Sequence, residues 1–493
     1  MYFMNNIDFK QKLNIQRPYG ENNSNQQWSA IEYALESDRG RIINAPSLRR
    51  LQQKTQVFPL ERNAEVRSRL THSLEVQQNG RYLVQTVYKK LSDKATEYGL
   101  DGGQQAITSL VEMACLMHDM GNPPFGHFGE QVISDWFTQF LSDCHHWPVD
   151  TENSNESLKQ AMQRDLSHFE GNAQAIRLTA RLERMNLTYA QTAAILKYSR
   201  SNAESPDCEL DYLHKKAGFY LSEQAFVSDM WQAVSVQPGH RFPFTYLMEA
   251  ADDIAYCLAD IEDAVEKDIM PLSYLIELIV TAYQELGGDA SKPFLGQQPN
   301  HLMSLQAVLD KAYHDSQQVS INSNQSFFIK IRVPIIHYLV NHAANQFVAH
   351  IEDIYHGCYN QALLEDGSQA HKLLKAFKQV GYDHVYCHNE VQKLELQGQQ
   401  IISGILAHNT ALLSLSYDDF QALLRPGKLS GHRLLINRMD PNHLKAYQLA
   451  TKDVKSDSKL WDFYYRCRLL QDHISAMTDH SAYDEYRLLS VSD

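Results

Sequence analysis

Residues 112–130, EMACLMHDMGNPPFGHFGE, decide both the fold and the chemistry that this sequence predicts. Apolar side chains recur at helical spacing over residues 107–118, which predicts a helix with a buried face that ends at His118 and Asp119. The Pro-Pro pair at residues 123–124 prevents this helix from continuing. The stretch therefore places an imidazole and a carboxylate side by side at the end of a buried helix.

The turn after this helix is predicted to bring a second pair of ionisable side chains close to the first. Gly121 is predicted to take the positive φ of a helix C-cap. A new helix is predicted to begin near Phe128, which places His127 and Glu130 three residues apart in its first turn. Such a pair can be a proton-transferring imidazole oriented by a carboxylate, or a helix-start pair that only satisfies itself. The spacing alone does not distinguish the two.

Two features elsewhere in the chain indicate that His118 and Asp119 bind a metal ion. A His-Asp dipeptide alone is common in long chains and does not indicate a site. Here, however, His72 lies upstream in RLTHSLEV, and an acidic segment, EAADDIAYCLADIEDA, lies downstream at residues 249–264. Two imidazoles and two carboxylates with open positions for water suit Mn²⁺, Mg²⁺, Fe²⁺ or Co²⁺ better than a closed structural zinc site.

The acidic segment leaves the last ligand open between Asp252 and Asp253. On a helix, Asp252 shares a face with Tyr256 and Asp260, four and eight residues further on. This shared face favours Asp252, although either carboxylate of the pair could bind the metal ion. The candidate ligands are therefore His72, His118, Asp119 and one of these two carboxylates.

Composition and periodicity predict an all-α protein. The chain of 493 residues is 43% hydrophobic and 21% charged, which is typical of a globular protein that can bury a large core. Helical spacing continues beyond residue 290, and the alternation that strands require is absent. We predict an N-terminal core over residues 1–290, with a polar insertion at about residues 141–163, and a C-terminal helical region over residues 291–493 packed on it.

The same sequence argues against a membrane or secreted protein. The N-terminus lacks the apolar segment of a signal peptide, and no apolar run approaches the roughly 20 residues that span a bilayer. The seven cysteines are odd in number and form no CxxC pair, which indicates reduced thiols. We therefore expect a cytoplasmic protein.

Charge is distributed unevenly along the chain. A net charge of −14 argues against a surface that generally coats nucleic acid. Residues 39–81 nevertheless carry nine basic side chains against three acidic ones, and His72 lies among them. This segment is either a solvated or interface-paired helix face or a local site for a polyanion, and its closeness to His72 favours the polyanion site.

Eight motifs are distributed along nearly the whole chain: RGRIINAPSLRRLQQKTQVF, RSRLTHSLEVQQNGR, CLMHDMGNPPFGHFGE, HFEGNAQAIRL, ILKYSR, YLMEAADDIAYCLADIEDAVEK, LELQGQQIISG and YYRCRLLQDHISAMTD. They resemble those of the deoxyguanosine triphosphate triphosphohydrolases (dGTPases), a family of HD-domain phosphohydrolases. The likeness is to the long bacterial type.

This resemblance implies an HD helical core and metal-dependent hydrolysis of dGTP to deoxyguanosine and tripolyphosphate, by water attack at the α-phosphorus. The expected cofactor is Mn²⁺ or Mg²⁺, with Co²⁺ as an alternative. It also implies a homo-oligomer, a hexamer in the long bacterial form, and single-stranded DNA as a further partner. The alternatives are a broader deoxynucleoside triphosphate triphosphohydrolase and, from another class, a nucleic-acid-binding regulatory HD protein. A regulatory protein would be expected to lack a ligand or the His127–Glu130 pair, and this chain has both.

The resemblance further implies a role for particular side chains. The family's metal-ligand order, a His, a His-Asp pair and a distant Asp, corresponds to His72, His118, Asp119 and Asp252, with Asp253 as a carboxylate that supports the site. His127 and Glu130 correspond to catalytic residues that flank the α-phosphate. Other positions match residues that contact the triphosphate or the deoxyribose, where a tyrosine excludes a 2′-hydroxyl and a carboxylate accepts from the 3′-hydroxyl. The implied triphosphate contacts are Asn172, Lys197 and Tyr198, the implied sugar contacts are Tyr256 and Asp260, and further sugar and phosphate contacts are Gln56 and Arg49.

Overall fold

The structure, a computed structural model, describes residues 7–20, 26–148, 156–205, 210–296, 301–319, 322–452 and 458–490. Helices dominate these residues and confirm the predicted all-α class. Two short strands in the described part, β1 (Arg200–Ser201) and β2 (Ala217–Phe219), pair in parallel. No helix in the described part of the chain is long and apolar enough to cross a membrane.

Eleven α-helices in the described residues precede residue 290. They are α1 (Trp28–Ile43), α2 (Pro46–Arg50), α3 (Arg69–Leu91), α4 (Gln104–Met117), α5 (Gly126–Ser142), α6 (Glu156–Ser167), α7 (Gly171–Arg177), α8 (Tyr189–Ala193), α9 (Gln224–Ala233), α10 (Thr245–Glu266) and α11 (Leu272–Glu285). Short 3₁₀ turns lie at Phe9–Lys12, Leu51–Gln53, Ser92–Ala95, Cys144–His146 and Leu221–Glu223, and a π-helical turn lies at Leu178–Leu182.

The helices continue through the C-terminal half. They are α12 (Leu305–Gln317), α13 (Ser323–Ala349), α14 (Ile351–His356), α15 (Gln369–Val380), α16 (Asn389–Leu413), α17 (Tyr417–Leu423), α18 (Gly431–Asn437), α19 (Pro441–Lys452), α20 (Ser458–Ser475) and α21 (Asp479–Ser490). A second π-helical turn, Gly381–Tyr386, joins α15 to the segment before α16.

Close packing of α3 on α4 brings two of the predicted metal ligands together. The side chain of Ser68 accepts from the backbone N–H of Thr71, and Thr71 Oγ1 accepts from the N–H of Ser68, so α3 begins with a reciprocal cap one turn before His72. A Cβ at Gly80 would lie 2.6 Å from Cys115 Sγ, so glycine is needed where the two helices approach. Helix α10 packs against both and supplies the acidic segment.

Two apolar cores run through the molecule. One extends from Phe9 to Val391 and joins α3, α4 and α10 to helices α12, α13 and α15. The other packs α5 and α6 against α16 and α20. Both cores contain side chains from either side of residue 290, so the C-terminal helices are packed into the structure around the site. The division at residue 290 stays a prediction.

Two local predictions require correction. Gly121 does not take a positive φ; the left-handed residues of this turn are Phe125 (φ 63°) and Gly126 (φ 58°). A Cβ at Gly121 would instead collide with the backbone of α7, so this glycine is needed for close packing rather than for its backbone angle. The second helix begins at Gly126, two residues before the predicted Phe128, which still leaves His127 in its first turn.

Part of the predicted polar insertion at about residues 141–163 is packed helix. Residues 149–155 lie outside the described residues. Helix α6 begins at Glu156, and its Met162 and Leu166 are fully buried in the core formed with α5.

Candidate active site

A cavity of about 540 Å³, called here the main cavity, opens beside the end of α4 and the start of α5. A second cavity of about 460 Å³ adjoins it, and His127 lines both. Glu130 lines the second cavity. The main cavity brings together eight of the predicted site residues: Gln56, His72, His118, Asp119, His127, Asp252, Tyr256 and Asp260.

The four predicted metal ligands, called here the metal cluster, surround one space. The donor atoms of His72, His118 and Asp119 lie within 4.8 Å of one another. Asp252 Oδ1 lies 3.2 Å from Nε2 of His72 and 3.4 Å from Nε2 of His118. Because donors about 2.1 Å from a shared ion are separated by distances of this order, the cluster fits a divalent cation. The backbone oxygen of Cys115 lies 2.7 Å from Nδ1 of His118, which leaves Nε2 facing the cluster.

Charge in the cluster favours an added cation. Burial alone would lower the pKa of His118, but the carboxylates of Asp119 and Asp252 outweigh it and raise that pKa to about 9. Burial disfavours ionised Asp119, yet Arg69 and the imidazoles lower its pKa to about 2. Arg69 Nη1 donates to Asp119 Oδ2 at 2.8 Å, and Asn122 Nδ2 donates to Asp119 Oδ1 at 2.6 Å. These two donors fix the orientation of Asp119.

Asp252 and Asp253 face different partners. Asp252 faces the two imidazoles, which hold its pKa well below the usual range although burial acts in the opposite direction. Asp253 Oδ1 instead accepts a hydrogen bond from Lys378 Nζ at 2.6 Å. This difference favours Asp252 as the ligand, as the sequence predicts.

His127 and Glu130 form a bonded pair at the start of α5. Nδ1 of His127 lies 2.8 Å from Oε2 of Glu130, and the backbone N–H of Gly171 donates to Oε1 of Glu130 at 2.8 Å. Glu130 is buried, whereas the imidazole is open to the cavities. The hydrogen bond to Glu130 raises the pKa of His127. Burial alone would raise the pKa of Glu130, but the interaction with His127 outweighs it, and that pKa is lowered. His127 therefore stays an imidazolium to higher pH than it would without Glu130.

A third side chain joins the two predicted sugar contacts on α10. The hydroxyl of Tyr386, from the second π-helical turn, bonds the hydroxyl of Tyr256 and donates to Asp260 Oδ2. Burial raises the pKa of Asp260 to about 6, and the hydrogen bond from Tyr386 acts against that rise. All three residues line the main cavity.

The second cavity lies on the far side of His127 and contains charges of both signs. Its lining includes Glu170, Lys216, Lys215 and Arg200. Glu170 Oε1 accepts from Asn172 Nδ2 at 2.6 Å, and Glu170 Oε2 lies 3.1 Å from Lys216 Nζ. Asn172 is thereby held beside this cavity without lining it.

Lys197 and Tyr198 line neither of these two cavities. Lys197 Nζ lies 3.5 Å from Glu249 Oε1. Burial would lower the pKa of Lys197, but Glu249 and other nearby groups raise it above the usual range. Burial raises the pKa of Tyr198.

Gln56 and Arg49 are separated in the structure. Gln56 lines the main cavity, and its buried Oε1 has no hydrogen-bond partner among the described residues. Arg49 is exposed on α2 and does not line the main cavity. The substrate contacts assigned to both stay predictions.

Sequence reasoning missed the side of the main cavity formed by the C-terminal helices. We call this side the opposite wall, and its residues are Lys378, Tyr382, Tyr386, Val391 and Glu395. They lie on α15, the π-helical turn and α16, more than 110 residues after the acidic segment, and no spacing rule relates them to it. The cluster of aromatic and charged side chains in residues 378–386 was the available signal.

Comparisons with known proteins identify the family. An HD domain model matches residues 69–196, a range that contains His72, His118 and Asp119. A protein from Pseudomonas aeruginosa, named "probable deoxyguanosinetriphosphate triphosphohydrolase", is 49% identical over 496 aligned positions, which cover 98% of this chain and 99% of the relative. This chain is therefore a hydrolase that belongs to the family of HD-domain deoxyguanosinetriphosphate triphosphohydrolases.

Proposed function

We propose that this enzyme hydrolyses dGTP to deoxyguanosine and inorganic tripolyphosphate. The name of the relative supports the substrate, and the position of His127 carries the chemistry. Its imidazole lines the main cavity beside the metal cluster, also lines the second cavity, and lies 2.8 Å from the carboxylate of Glu130. A proton-transfer group thus lies between one cavity with metal ligands and another with basic side chains.

The metal cluster is proposed to hold Mn²⁺ or Mg²⁺, with Co²⁺ as an alternative. Mixed imidazole and carboxylate donors suit these ions, and the separations between the donors fit one ion. When bound there, such a cation supplies Lewis-acid polarisation of a phosphate oxygen and orients water. Arg69 and Asn122, which both bond Asp119, would keep this ligand oriented.

His127 is proposed to transfer the proton that the reaction requires. Attack of water at the α-phosphorus forms a bond to the water oxygen, which stays with tripolyphosphate, and breaks the bond to the 5′-oxygen. The attacking water releases a proton to solvent, and the leaving 5′-oxygen takes up a proton. Because the bond to Glu130 raises the pKa of His127, the imidazolium is available to donate that proton. Glu130 orients the ring and stabilises its charge.

The phosphates and the sugar are proposed to bind on opposite sides of His127. Lys216 lines the second cavity and would contact the triphosphate there. Asn172, Lys197 and Tyr198 line neither cavity, and their contacts with the triphosphate are proposed from the family resemblance. The β- and γ-phosphates would then leave as one group. Tyr256 and Asp260, which line the main cavity, would contact the deoxyribose there, and Tyr256 would exclude a 2′-hydroxyl.

A panel of nucleoside triphosphates, assayed with Mn²⁺, Mg²⁺ and Co²⁺ and resolved by ion exchange, tests this proposal. The expected products from dGTP are deoxyguanosine and tripolyphosphate in equal amounts. Equal rates with all four deoxynucleoside triphosphates would favour the broader triphosphohydrolase. Release of orthophosphate or pyrophosphate, or no turnover with any nucleotide, would contradict the proposal.

Assembly into a hexamer and binding of single-stranded DNA are proposed from the family resemblance. Sedimentation at several protein concentrations would test for a hexamer, and titration with a labelled single strand would test for DNA binding. A hydrolase that also binds DNA should keep turnover when the strand is absent, whereas a regulatory protein should bind the strand without turnover.

A further inference from the structure

The turn that leads into His127 has an unfavourable backbone conformation. Phe125 has φ 63° and ψ 17°, and Gly126 follows with φ 58°. Left-handed angles are disfavoured for a residue with a Cβ, so contacts around Phe125 must hold it there. The conformation matters because His127 is the next residue after this pair.

A carboxylate from the C-terminal end of the chain holds this turn. Asp479 is 1% exposed and is the first residue of α21. Its Oδ1 accepts from the backbone N–H of Phe125 at 3.0 Å. Its Oδ2 accepts from both the N–H and the hydroxyl of Thr55, at 3.0 and 2.6 Å. One buried side chain thus joins the turn before His127 to the segment that carries Gln56.

A lysine makes a parallel connection one residue before Thr55. Lys54 is buried, and its Nζ donates to the backbone oxygens of Asn122 and Ser475 at 2.6 Å each. Asn122 in turn donates to the metal-cluster residue Asp119. The region where α20 ends and α21 begins is therefore connected to both ends of the turn. Lys54 links Ser475 to Asn122, and Asp479 bonds Phe125 directly.

The same C-terminal segment also contacts α7. Asp472 accepts from Gln174 Nε2 at 2.9 Å and from Arg177 Nε at 2.8 Å. Helix α7 begins at Gly171, whose N–H bonds Glu130. Residues 471–479, QDHISAMTD, thus bond both to the turn before His127 and to α7, whose first residue bonds Glu130. This accounts for a motif that the proposed chemistry leaves without a role.

We propose that Asp479 is a positioning residue for His127: by fixing the left-handed turn at Phe125, it sets where α5 begins and where the imidazole lies. This inference rests on the proposed role of His127 in proton transfer. Asp479 itself lines neither cavity, and it reaches the lining of the main cavity through the backbone N–H of Phe125. It would therefore act on the rate by positioning the turn that leads into His127.

A double-mutant cycle with the full-length enzyme tests this coupling. Asp479→Ala should lower kcat for dGTP by about 30-fold, because small misplacements of a catalytic group reduce rates by about 10²-fold or less. KM and bound metal should be unchanged. In a His127→Ala background the same substitution should lower kcat by less than about threefold, because there is no imidazole left to misplace.

If Asp479→Ala lowered kcat by the same factor in both backgrounds, the inference would be overturned, since Asp479 would then support the fold in general. If His127→Ala alone leaves kcat unchanged, the proposed function itself fails and the inference falls with it. Asp479→Asn provides a second variant should the alanine variant not fold. It keeps one acceptor, and its smaller loss of kcat should also disappear in the His127→Ala background.

Glu485→Gln is the matched control, because Glu485 is a buried carboxylate on α21 that pairs with Arg438. It should alter thermal stability and leave kcat unchanged; an equal loss of kcat would overturn the inference.

Discussion

The metal-cluster side of the main cavity and the opposite wall are built differently. On the metal-cluster side the side chains are short and bond one another, and their exposure ranges from 1% for His72 to 25% for Asp252. On the opposite wall Val391 is buried, but the other side chains are longer, and Tyr382 is 66% exposed on a π-helical turn. The first side can hold donor atoms in fixed positions, whereas the second can adjust to a ligand.

Because of this difference, we expect substitutions on the two sides of the cavity to change different kinetic parameters. Substitutions on the metal-cluster side should affect metal binding and kcat, because they disturb groups that are proposed to act on the α-phosphate. Substitutions on the opposite wall should chiefly affect KM and the choice of substrate. Tyr386 connects the two sides, since it belongs to the opposite wall and bonds Asp260 on α10.

The largest effect is expected from Asp252→Ala. It should abolish stoichiometric metal binding and lower kcat/KM by at least about 10³-fold, because a bound cation contributes several kcal/mol to transition-state stabilisation. Asp253→Ala is the matched control, because this neighbour bonds Lys378 instead. It should retain the metal, as measured by elemental analysis of the purified enzyme. The reverse pattern would move the ligand by one residue.

His127→Ala should retain the metal and lower kcat by about 10²- to 10³-fold, since it removes the proposed proton-transfer group rather than a proposed metal ligand. Steady-state kinetics at saturating dGTP and metal analysis of the same sample would measure both. His145→Ala is the control, because His145 forms a 2.7 Å pair with Asp143 on the exposed surface. A loss under about threefold for His127→Ala would remove it from the mechanism.

Glu130→Gln should lower kcat by about 10- to 100-fold and shift its pH dependence. Hydrogen bonding to the Glu130 carboxylate raises the pKa of His127, so the imidazolium persists to higher pH in the native enzyme. If the imidazolium is the acid, activity is lost as pH rises through this pKa. Removing the carboxylate lowers the pKa, and the alkaline limb of the kcat profile should therefore move to lower pH. A shift to higher pH would contradict the assigned acid.

Tyr386→Phe tests the connection between the two sides. It removes the donor to Asp260 and the bond to Tyr256, so KM for dGTP should rise by about tenfold, the effect of one hydrogen bond to a buried charged group. Bound metal and kcat should change little. The ratio of kcat/KM for GTP to that for dGTP should also rise, as measured with both substrates. Loss of metal in this variant would show that the two sides are not separate.

The smallest effect is expected from Arg49→Ala. This side chain is exposed on α2 and does not line the main cavity, so a surface substitution there should change KM by less than about threefold. The measurement is KM for dGTP at low ionic strength, where a distant charge has its greatest influence. A tenfold or larger rise in KM would show that Arg49 reaches the triphosphate.

Much of the fold and the metal-cluster side could be predicted from the sequence because short-range rules govern them. Helical spacing gives α4 and α10, and a fixed spacing of four places Asp252, Tyr256 and Asp260 on one face. The opposite wall could not be predicted in this way. Its side chains reach the cavity through packing of α15 and α16 on the core, which depends on contacts between distant residues.

The backbone conformation of the turn before His127 could not be predicted from the sequence either. Glycine is the usual residue for a positive φ, so Gly121 was the natural choice. The structure instead places Phe125 in that region, where Asp479, 354 residues further along the chain, accepts its N–H. A rule based on neighbouring residues does not include such a partner.

Hydrolysis of dGTP in ¹⁸O-labelled water tests most directly the central claim that water attacks the α-phosphorus and the 5′-oxygen leaves. If water attacks that phosphorus and the 5′-oxygen leaves, mass spectrometry should find one labelled oxygen in tripolyphosphate and none in deoxyguanosine. Label in the 5′-hydroxyl of deoxyguanosine would mean attack at carbon and would contradict this chemistry.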